Sequence, residues 1–314
     1  MNNKNFDFLI QEIEQKDLTA LKILSKNNGG NPNMDEQYFE HVYFNTPSNS
    51  QSLWKVVVDN EIEGFATTNN FEFVINDKKC LCAMPQNVLT SVKLRGKGLF
   101  NKLYNQTEND NLNNKNVNYF LTFTNDLSTP IFLNKFAYKK GKCPHLLVFI
   151  SNPLNFISKK NYNRIYDFNT VNFNGLFTFD NALSKSKEFY LWRYKLYSRD
   201  SLHIISITTE TIIIGYAVFL VQKKKGIKFL ILSDIIFYKQ ENLFKLIEVC
   251  KSYTATNFYP FFIMFEVETS AKKIKSRIKL KDRFNFLVKG KTSEENDMLS
   301  KNKFNLFFGD IDIV

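Results

Sequence analysis

The chain has 314 residues, with 42 Lys and Arg against 31 Asp and Glu, a formal charge of +11. That length predicts roughly two domains of about 150 residues, each able to bury a core. Hydrophobic residues at 44% and charged residues at 23% are ordinary values that exclude wholesale disorder and fibrous architectures.

The best apolar stretch, Thr211 to Val221, stops at Lys223-Lys224-Lys225 and falls short of the ~18 residues of a membrane span. No apolar signal core follows Met1, so the expected compartment is the cytoplasm. Four cysteines in a chain this long make no disulfide framework. Cys80 and Cys82 face the same side of a strand and read as buried small side chains. No second C-x-C or nearby His completes a metal site, so no metal is expected. Lys, Asn, Ile, Phe and Tyr are heavily used throughout, which explains part of the charge as composition bias. The densest basic run, Lys272-Lys273-Ile274-Lys275-Ser276-Arg277, reads as a solvated helix face, and nucleic acid is not an expected partner.

In chain order, Phe8, Leu9, Ile13, Leu18, Leu21 and Leu24 form a helical stripe that ends at Gly29-Gly30. A short helix is expected over Met34 to Tyr43. Strands follow at Leu53 to Val58, Gly64 to Phe73, Cys80 to Met84 and Val88 to Val92, with turns at Asp59-Asn60 and Asn76-Asp77. Leu99, Phe100, Leu103 and Tyr104 open an amphipathic helix. Tyr119 to Thr124 is a strand, Ser128 to Phe136 a short helix and Cys143 to Ile150 a final strand. The second half repeats this order. Tyr190-Leu191-Trp192-Arg193-Tyr194 answers Phe39-Glu40-His41-Val42-Tyr43, and Gly215-Tyr216-Ala217 answers Gly64-Phe65-Ala66. A strand (Lys228 to Phe237), a helix (Glu241 to Tyr253) and a strand (Pro260 to Val267) complete it. The pattern is a tandem duplication of one α/β unit, with halves 1–155 and 156–314 and a boundary near Asn152 to Asn169.

The feature that carries chemistry is Lys93-Leu94-Arg95-Gly96-Lys97-Gly98, between a strand and a helix. Two of the chain's 11 glycines lie there. Glycines at such a turn let backbone N–H groups converge, and the following helix adds its N-terminal dipole. The loop therefore suits a phosphate or pyrophosphate, with Lys93, Arg95 and Lys97 supplying positive charge. It lacks the Lys-Ser/Thr pair of a P-loop and the third glycine of a dinucleotide fingerprint.

The run Thr90-Ser91-Val92-Lys93-Leu94-Arg95-Gly96-Lys97-Gly98-Leu99-Phe100 resembles the cofactor motif of the GNAT (Gcn5-related N-acetyltransferase) superfamily, which binds the pyrophosphate of acetyl-CoA. Asn125 to Ser128, leading through Phe132 to Ala137-Tyr138, resembles the family's next motif. The resemblance covers about residues 35 to 150, and more faintly the second half. It implies two tandem GNAT-like domains, α+β or α/β in class, each a mixed, mostly antiparallel sheet flanked by helices. It also implies acetyl-CoA as co-substrate, held by Thr90, Ser91, Val92, Lys93, Leu94, Arg95, Gly96, Lys97, Gly98, Asn125 and Ser128. Lys93 stands where the family has Arg or Gln, Ala137 where it has Gly, and Phe132 where many members carry a tyrosine that protonates the thiolate. Phe307-Phe308-Gly309-Asp310-Ile311-Asp312 resembles the tail of tandem members.

The implied reaction is direct attack of an amine on the thioester in a ternary complex. The two parallel strands splay to admit the pantetheine arm, and an N–H near Val92 faces the oxyanion. A base must deprotonate the ammonium. Candidates are His41 and Glu40, ahead of the substrate-side hairpin, and Asp234, which interrupts an apolar strand and otherwise belongs to an ion pair. Trp192, Arg193 and Tyr194 line an acceptor pocket between the halves or pack into the core. Tyr238-Lys239-Gln240-Glu241-Asn242 replaces the glycine loop in the second half, so one cofactor per chain is expected. The acceptor is a small amine, by analogy an amino-sugar nucleotide. Two other readings remain: a Fem-type aminoacyl-tRNA-dependent peptidyltransferase, and a non-catalytic module that binds CoA or a partner.

Overall fold

The computed structural model describes residues 7–30, 34–152, 161–267, 278–280 and 284–311. The basic run 272–277, part of the expected boundary (153–160) and Asp312 lie outside them. The first apolar stripe splits in two. Leu9–Glu12 is a strand, β1, and only Leu18–Asn27 is helical, α1. Pairing with β2 (Gln51–Val58) decides this, because an antiparallel partner satisfies the β1 backbone where an isolated helical turn would not. Helix α2 (Glu36–Phe39) runs into a wide turn, Glu40–Phe44, which buries His41, Val42 and Tyr43.

Strand β3 (Glu61–Ile75) pairs with β2 and with β4 (Lys78–Thr90). The two strands expected at Cys80 to Met84 and Val88 to Val92 are this one strand, interrupted by a bulge. Ala66 opposes Val88 and Thr68 opposes Pro85, so Gln86 and Asn87 together face Thr67. Pro85 cannot donate to a ladder, and the bulge absorbs the misfit. Helix α3 (Leu99–Asn113) covers one sheet face with Leu99, Leu103 and Tyr104, each buried, and side chains of this size stabilise by about 1.5–3 kcal/mol apiece. Strand β5 (Tyr119–Thr124) lies parallel to β4, and α4 (Thr129–Lys135) follows.

After β6 (Lys139–Lys140), the chain crosses to a second sheet. Strand β7 (Leu146–Ile150), expected to close the first half, pairs with β13 (Phe261–Phe265) and β14 (Ile278–Leu280). In return β15 (Asn285–Lys289), from the second half, pairs with β5 and β6. The remaining second-half strands are β8 (Tyr162–Ile165), β10 (Leu202–Thr209), β11 (Ile212–Lys224) and β12 (Ile227–Phe237). A short β9 (Ala182–Leu183) attaches to β3. The sheet orders are β1-β2-β3-β4-β5-β15-β6 and, read in the same sense, β8-β10-β11-β12-β13-β7-β14. Each sheet thus takes its sixth strand from the other half, and the expected division at 155/156 is crossed in both directions.

The repeat holds at the level of single atoms. Gly64 lies opposite Thr90 and Gly215 opposite Phe237, the last residues of β4 and β12. A Cβ on Gly64 would lie 2.9 Å from Val56 Cγ1, and one on Gly215 2.6 Å from the Ile236 carbonyl, so both strands approach too closely for a side chain. Helices α5 (Lys187–Arg193) and α7 (Ser293–Lys301) bring Phe189, Trp192 and Leu299 onto Phe71, Phe73 and Leu121 of the first sheet, forming the core between the halves.

Candidate active site

Strands β4 and β5 pair only where β5 begins. Cys82 pairs with Tyr119 and Ala83 with Phe120, and no backbone pair follows. Thr122 Oγ1 donates to the Pro85 carbonyl at 3.0 Å, the last bridge before the strands part. Beyond it the edge of β4 that faces β5 has no strand partner. The strands thus diverge and leave a slot between them.

The glycine loop closes the wide end of this slot. Leu94 is buried in the core beneath α3 and anchors it. Gly96 and Gly98 have φ of +81° and +78°, and a Cβ on either would meet nothing within 4 Å. This is the left-handed region, which glycine enters without strain. Several loop amides are already used. Ser91 N donates to the Glu63 carbonyl at 2.8 Å, Val92 N to Asn28 Oδ1 at 2.7 Å, and Leu94, Arg95 and Lys97 to carbonyls of the same turn. Among the described residues, the amides of Gly96, Gly98, Leu99, Phe100 and Asn101 donate to no protein group. The open amides therefore begin at Gly96, and the Val92 amide expected to face the oxyanion is taken by Asn28. Arg95 also turns away, its guanidinium donating to the Asn28 carbonyl at 3.2 Å. Lys93 and Lys97 are exposed. Thr90 and Ser91 are buried and shape the strand end.

Asn125 and Ser128 act as a helix cap. Asn125 Oδ1 accepts from the Leu127 and Ser128 amides and from Ser128 Oγ, at 3.1, 2.8 and 3.0 Å. This holds the start of α4 beside the slot. Ala137, in place of the family glycine, sits at φ +56°, the conformation that a glycine would take freely. Phe132 is buried against Tyr104, Phe136 and Tyr138, so no hydroxyl replaces the missing tyrosine at that position.

The three candidate bases separate. His41 lies between the halves. Its Nε2 is 2.8 Å from the Trp192 carbonyl, its own carbonyl accepts from Trp192 Nε1 at 3.0 Å, and the two rings stack at 5.7 Å. A carbonyl only accepts, so Nε2 carries the proton and Nδ1 is left as the basic lone pair. Nδ1 makes no hydrogen bond with the described residues, and His41 lines a cleft of 380 Å³ together with Asp35, Tyr38, Trp192, Lys195 and Tyr197. Burial, together with the charges of Lys195 and Arg193, lowers its pKa below 6.5 against the opposing bond to Trp192, so the ring is neutral at pH 7. Behind it, the Val42 carbonyl accepts from Asn69 Nδ2 at 3.0 Å, and the same amide reaches Gln86 of the β4 bulge at 3.4 Å. Glu40 is exposed and does not line this cleft.

Asp234 belongs to a buried ion cluster. Lys185 Nζ lies 2.7 and 2.9 Å from its two oxygens and 2.5 Å from Asp310 Oδ1. Burial raises the Asp234 carboxyl against the pull of Lys185, while Lys185 stays charged because its two carboxylates outweigh its own burial. The structure thus decides for the ion pair. The cluster also explains the second half. Strand β12 pairs with β13 only at Leu230–Phe262 and Ile231–Ile263 and bulges after Val218–Asp234, so it too opens a slot. The tail fills that slot. A Cβ on Gly309 would lie 2.6 Å from Asp234 Oδ2 and 3.2 Å from the Ser233 carbonyl, and Arg193 holds the Gly309 and Ile311 carbonyls at 2.8 and 2.7 Å. Tyr238 to Asn242 has no positive-φ residue and leads directly into α6 (Leu243–Thr256). Arg193 and Tyr194 therefore serve the tail, and Trp192 and Arg193 line the cleft.

By sequence, the chain matches no family model and no curated protein. By structure, it superposes on a GCN5-related N-acetyltransferase from Kribbella flavida with a TM-score of 0.67 at 11% identity, over 92% of this chain and 72% of that one. Eis1 from Mycobacterium abscessus gives 0.63 at 10%, over 90% and 73%. Saccharomyces cerevisiae N-myristoyltransferase with bound myristoyl-CoA gives 0.55 at 10%, over 92% and 81%. The chain has the GNAT fold. Its two sheets share one strand order, and among the described residues the open slot with a glycine loop belongs to the first. No helix among the described residues is long and apolar enough to cross a membrane. Among the same residues no group of three or more His, Cys, Asp or Glu could hold a metal ion.

Proposed function

We propose that this chain is an acyl-CoA-dependent N-acyltransferase that binds one acetyl-CoA, in its first half, and transfers the acyl group directly to a small amine. The observation that carries this reading is the set of open amides at Gly96, Gly98 and the first turn of α3, at the wide end of the β4–β5 slot. Converging N–H groups at a helix N-terminus suit a diphosphate, and the unpaired edge of β4 suits the amides of a pantetheine arm. Acetyl-CoA would supply the activated carbonyl. The protein would supply position, which can contribute about 7 kcal/mol or more, and a backbone donor of ~3 kcal/mol drawn from the unpaired edge of β4.

His41 is the proposed base. Its neutral ring, fixed tautomer and place in the cleft between the halves fit the removal of a proton from a bound ammonium. In this reading the cleft lined by His41 and Trp192 holds the amine. An amino-sugar nucleotide is the first acceptor to assay, and the cytoplasm the expected compartment. The buried Phe132 favours a second reading, a CoA-binding module without turnover. Isothermal titration with acetyl-CoA, followed by thiol release with a panel of amines, separates the two. Binding without thiol release supports the module, and the absence of binding sinks both.

A further inference from the structure

Cys80 and Cys82 stand apart from the acyl-transfer chemistry. Their sulfurs lie 3.8 Å apart on one face of β4, with Cys80 half-buried and Cys82 fully buried. Residues two apart in a strand are separated by about 6.7 Å at Cα. That is the upper end of the range that a disulfide spans, and the bond itself is about 2.05 Å. Closing it requires β4 to pucker at the residue between them, Leu81.

Leu81 is also where β5 is fastened to β4. Its amide donates to Asn118 Oδ1 at 2.9 Å, and its carbonyl accepts from Asn118 N at 2.8 Å. The only two backbone pairs of the slot's vertex, Cys82–Tyr119 and Ala83–Phe120, follow at once. A bond between the two sulfurs therefore strains the point from which the slot opens.

We propose that Cys80 and Cys82 are a reversible dithiol modification site for low-molecular-weight disulfides, and that oxidation loosens the β4–β5 vertex. The Cys80 thiolate attacks one sulfur of the disulfide RSSR, giving a Cys80–SR mixed disulfide and releasing RSH with the Cys80 proton. Cys82 then attacks the Cys80 sulfur, and the second RSH leaves with the Cys82 proton. Two protein thiols become one disulfide while RSSR is reduced to two RSH. The roles follow from position. Cys80 is reachable from solvent and its thiol is made more acidic by the bond from Cys82, whereas burial keeps Cys82 protonated until the mixed disulfide forms beside it. A strained disulfide is easily reduced, which suits a reversible mark.

The test treats the reduced full-length protein with oxidised glutathione and counts thiols after denaturation. Two of the four should disappear without a glutathione adduct, and dithiothreitol should restore them. Cys82→Ser should instead hold glutathione on Cys80, located by peptide mass. Hydrogen exchange at Asn118, whose amide donates to Leu81, and at Phe120, which faces the same way, should become about tenfold faster in the oxidised protein and stay unchanged in the Cys80→Ser, Cys82→Ser double variant. Four thiols surviving the treatment would overturn the proposal. So would a disulfide that leaves those two amides as protected as before. Acyl-CoA binding enters none of these readouts, so a failure here leaves the acyltransferase reading untouched.

Discussion

Gly98 offers the sharpest test of the cofactor cradle. It sits at φ +78°, ψ 0°, as the N-cap of α3, with open space where a Cβ would project. A side chain therefore fits, and the direct cost is backbone strain of about 1 kcal/mol, partly offset by about 0.4–1 kcal/mol from a stiffer unfolded chain. Gly98→Ala should fold with a small loss of stability. Gly98→Glu adds one negative charge beside the open amides. At a separation of about 6 Å and an effective dielectric constant of about 40, each charge of a diphosphate would be repelled by about 1.4 kcal/mol. Two such charges predict an acetyl-CoA affinity about 100-fold weaker than that of Gly98→Ala. Isothermal titration of wild type and both variants, with thermal melts to confirm folding, provides the comparison. Equal affinity in Gly98→Glu and Gly98→Ala, or no binding by the wild type, refutes the diphosphate cradle.

Three further outcomes are expected. His41→Gln should lower kcat about 10²- to 10⁴-fold and leave acetyl-CoA affinity unchanged, while the wild-type rate falls as pH drops through the lowered His41 pKa, below 6.5; a His41→Gln enzyme with the full rate would reduce His41 to a packing residue. Lys185→Met leaves Asp234 and Asp310 buried without a cation and should cost roughly 3–5 kcal/mol in chemical denaturation, whereas a loss under about 1 kcal/mol would mean that the cluster does not hold the tail. His203 is pushed down to about 4, chiefly by burial and then by Arg164, so the unfolded chain binds its proton first; stability should fall on the order of 2 kcal/mol from pH 6.5 to about 4, and His203→Gln should flatten that slope in urea titrations.

The strand–loop–helix turn at residues 93 to 98 is legible in the sequence. The glycine pair marked the strand-to-helix turn, and both Gly96 and Gly98 take positive φ in it. The Val92 amide, expected to face the oxyanion, is instead taken by Asn28, just past the end of α1. No local pattern announces a bond between residues 64 positions apart. The acid–base candidates show the same limit. His41 and Trp192 are both in the sequence reading, but their mutual hydrogen bonds, which fix the tautomer, depend on how the halves dock. Pro85 is the local signal for the bulge at Gln86–Asn87, whereas the first stripe has helical spacing that carries no information about its partner strand.

Periodicity, turn residues and the internal repeat by themselves pointed to a duplicated α/β unit, to the order of most of its elements and to the absence of a glycine loop from the second half. These are local properties of backbone conformation and apolar spacing. The exchange of β7 and β15 between the sheets, the filling of the second slot by Gly309 and Asp310, and the pairing of Asp234 with Lys185 were decided only in the tertiary structure. An unpaired strand edge accepts any strand of suitable register, and a buried carboxylate accepts any cation within reach. Which one arrives is set by the packing of the whole chain.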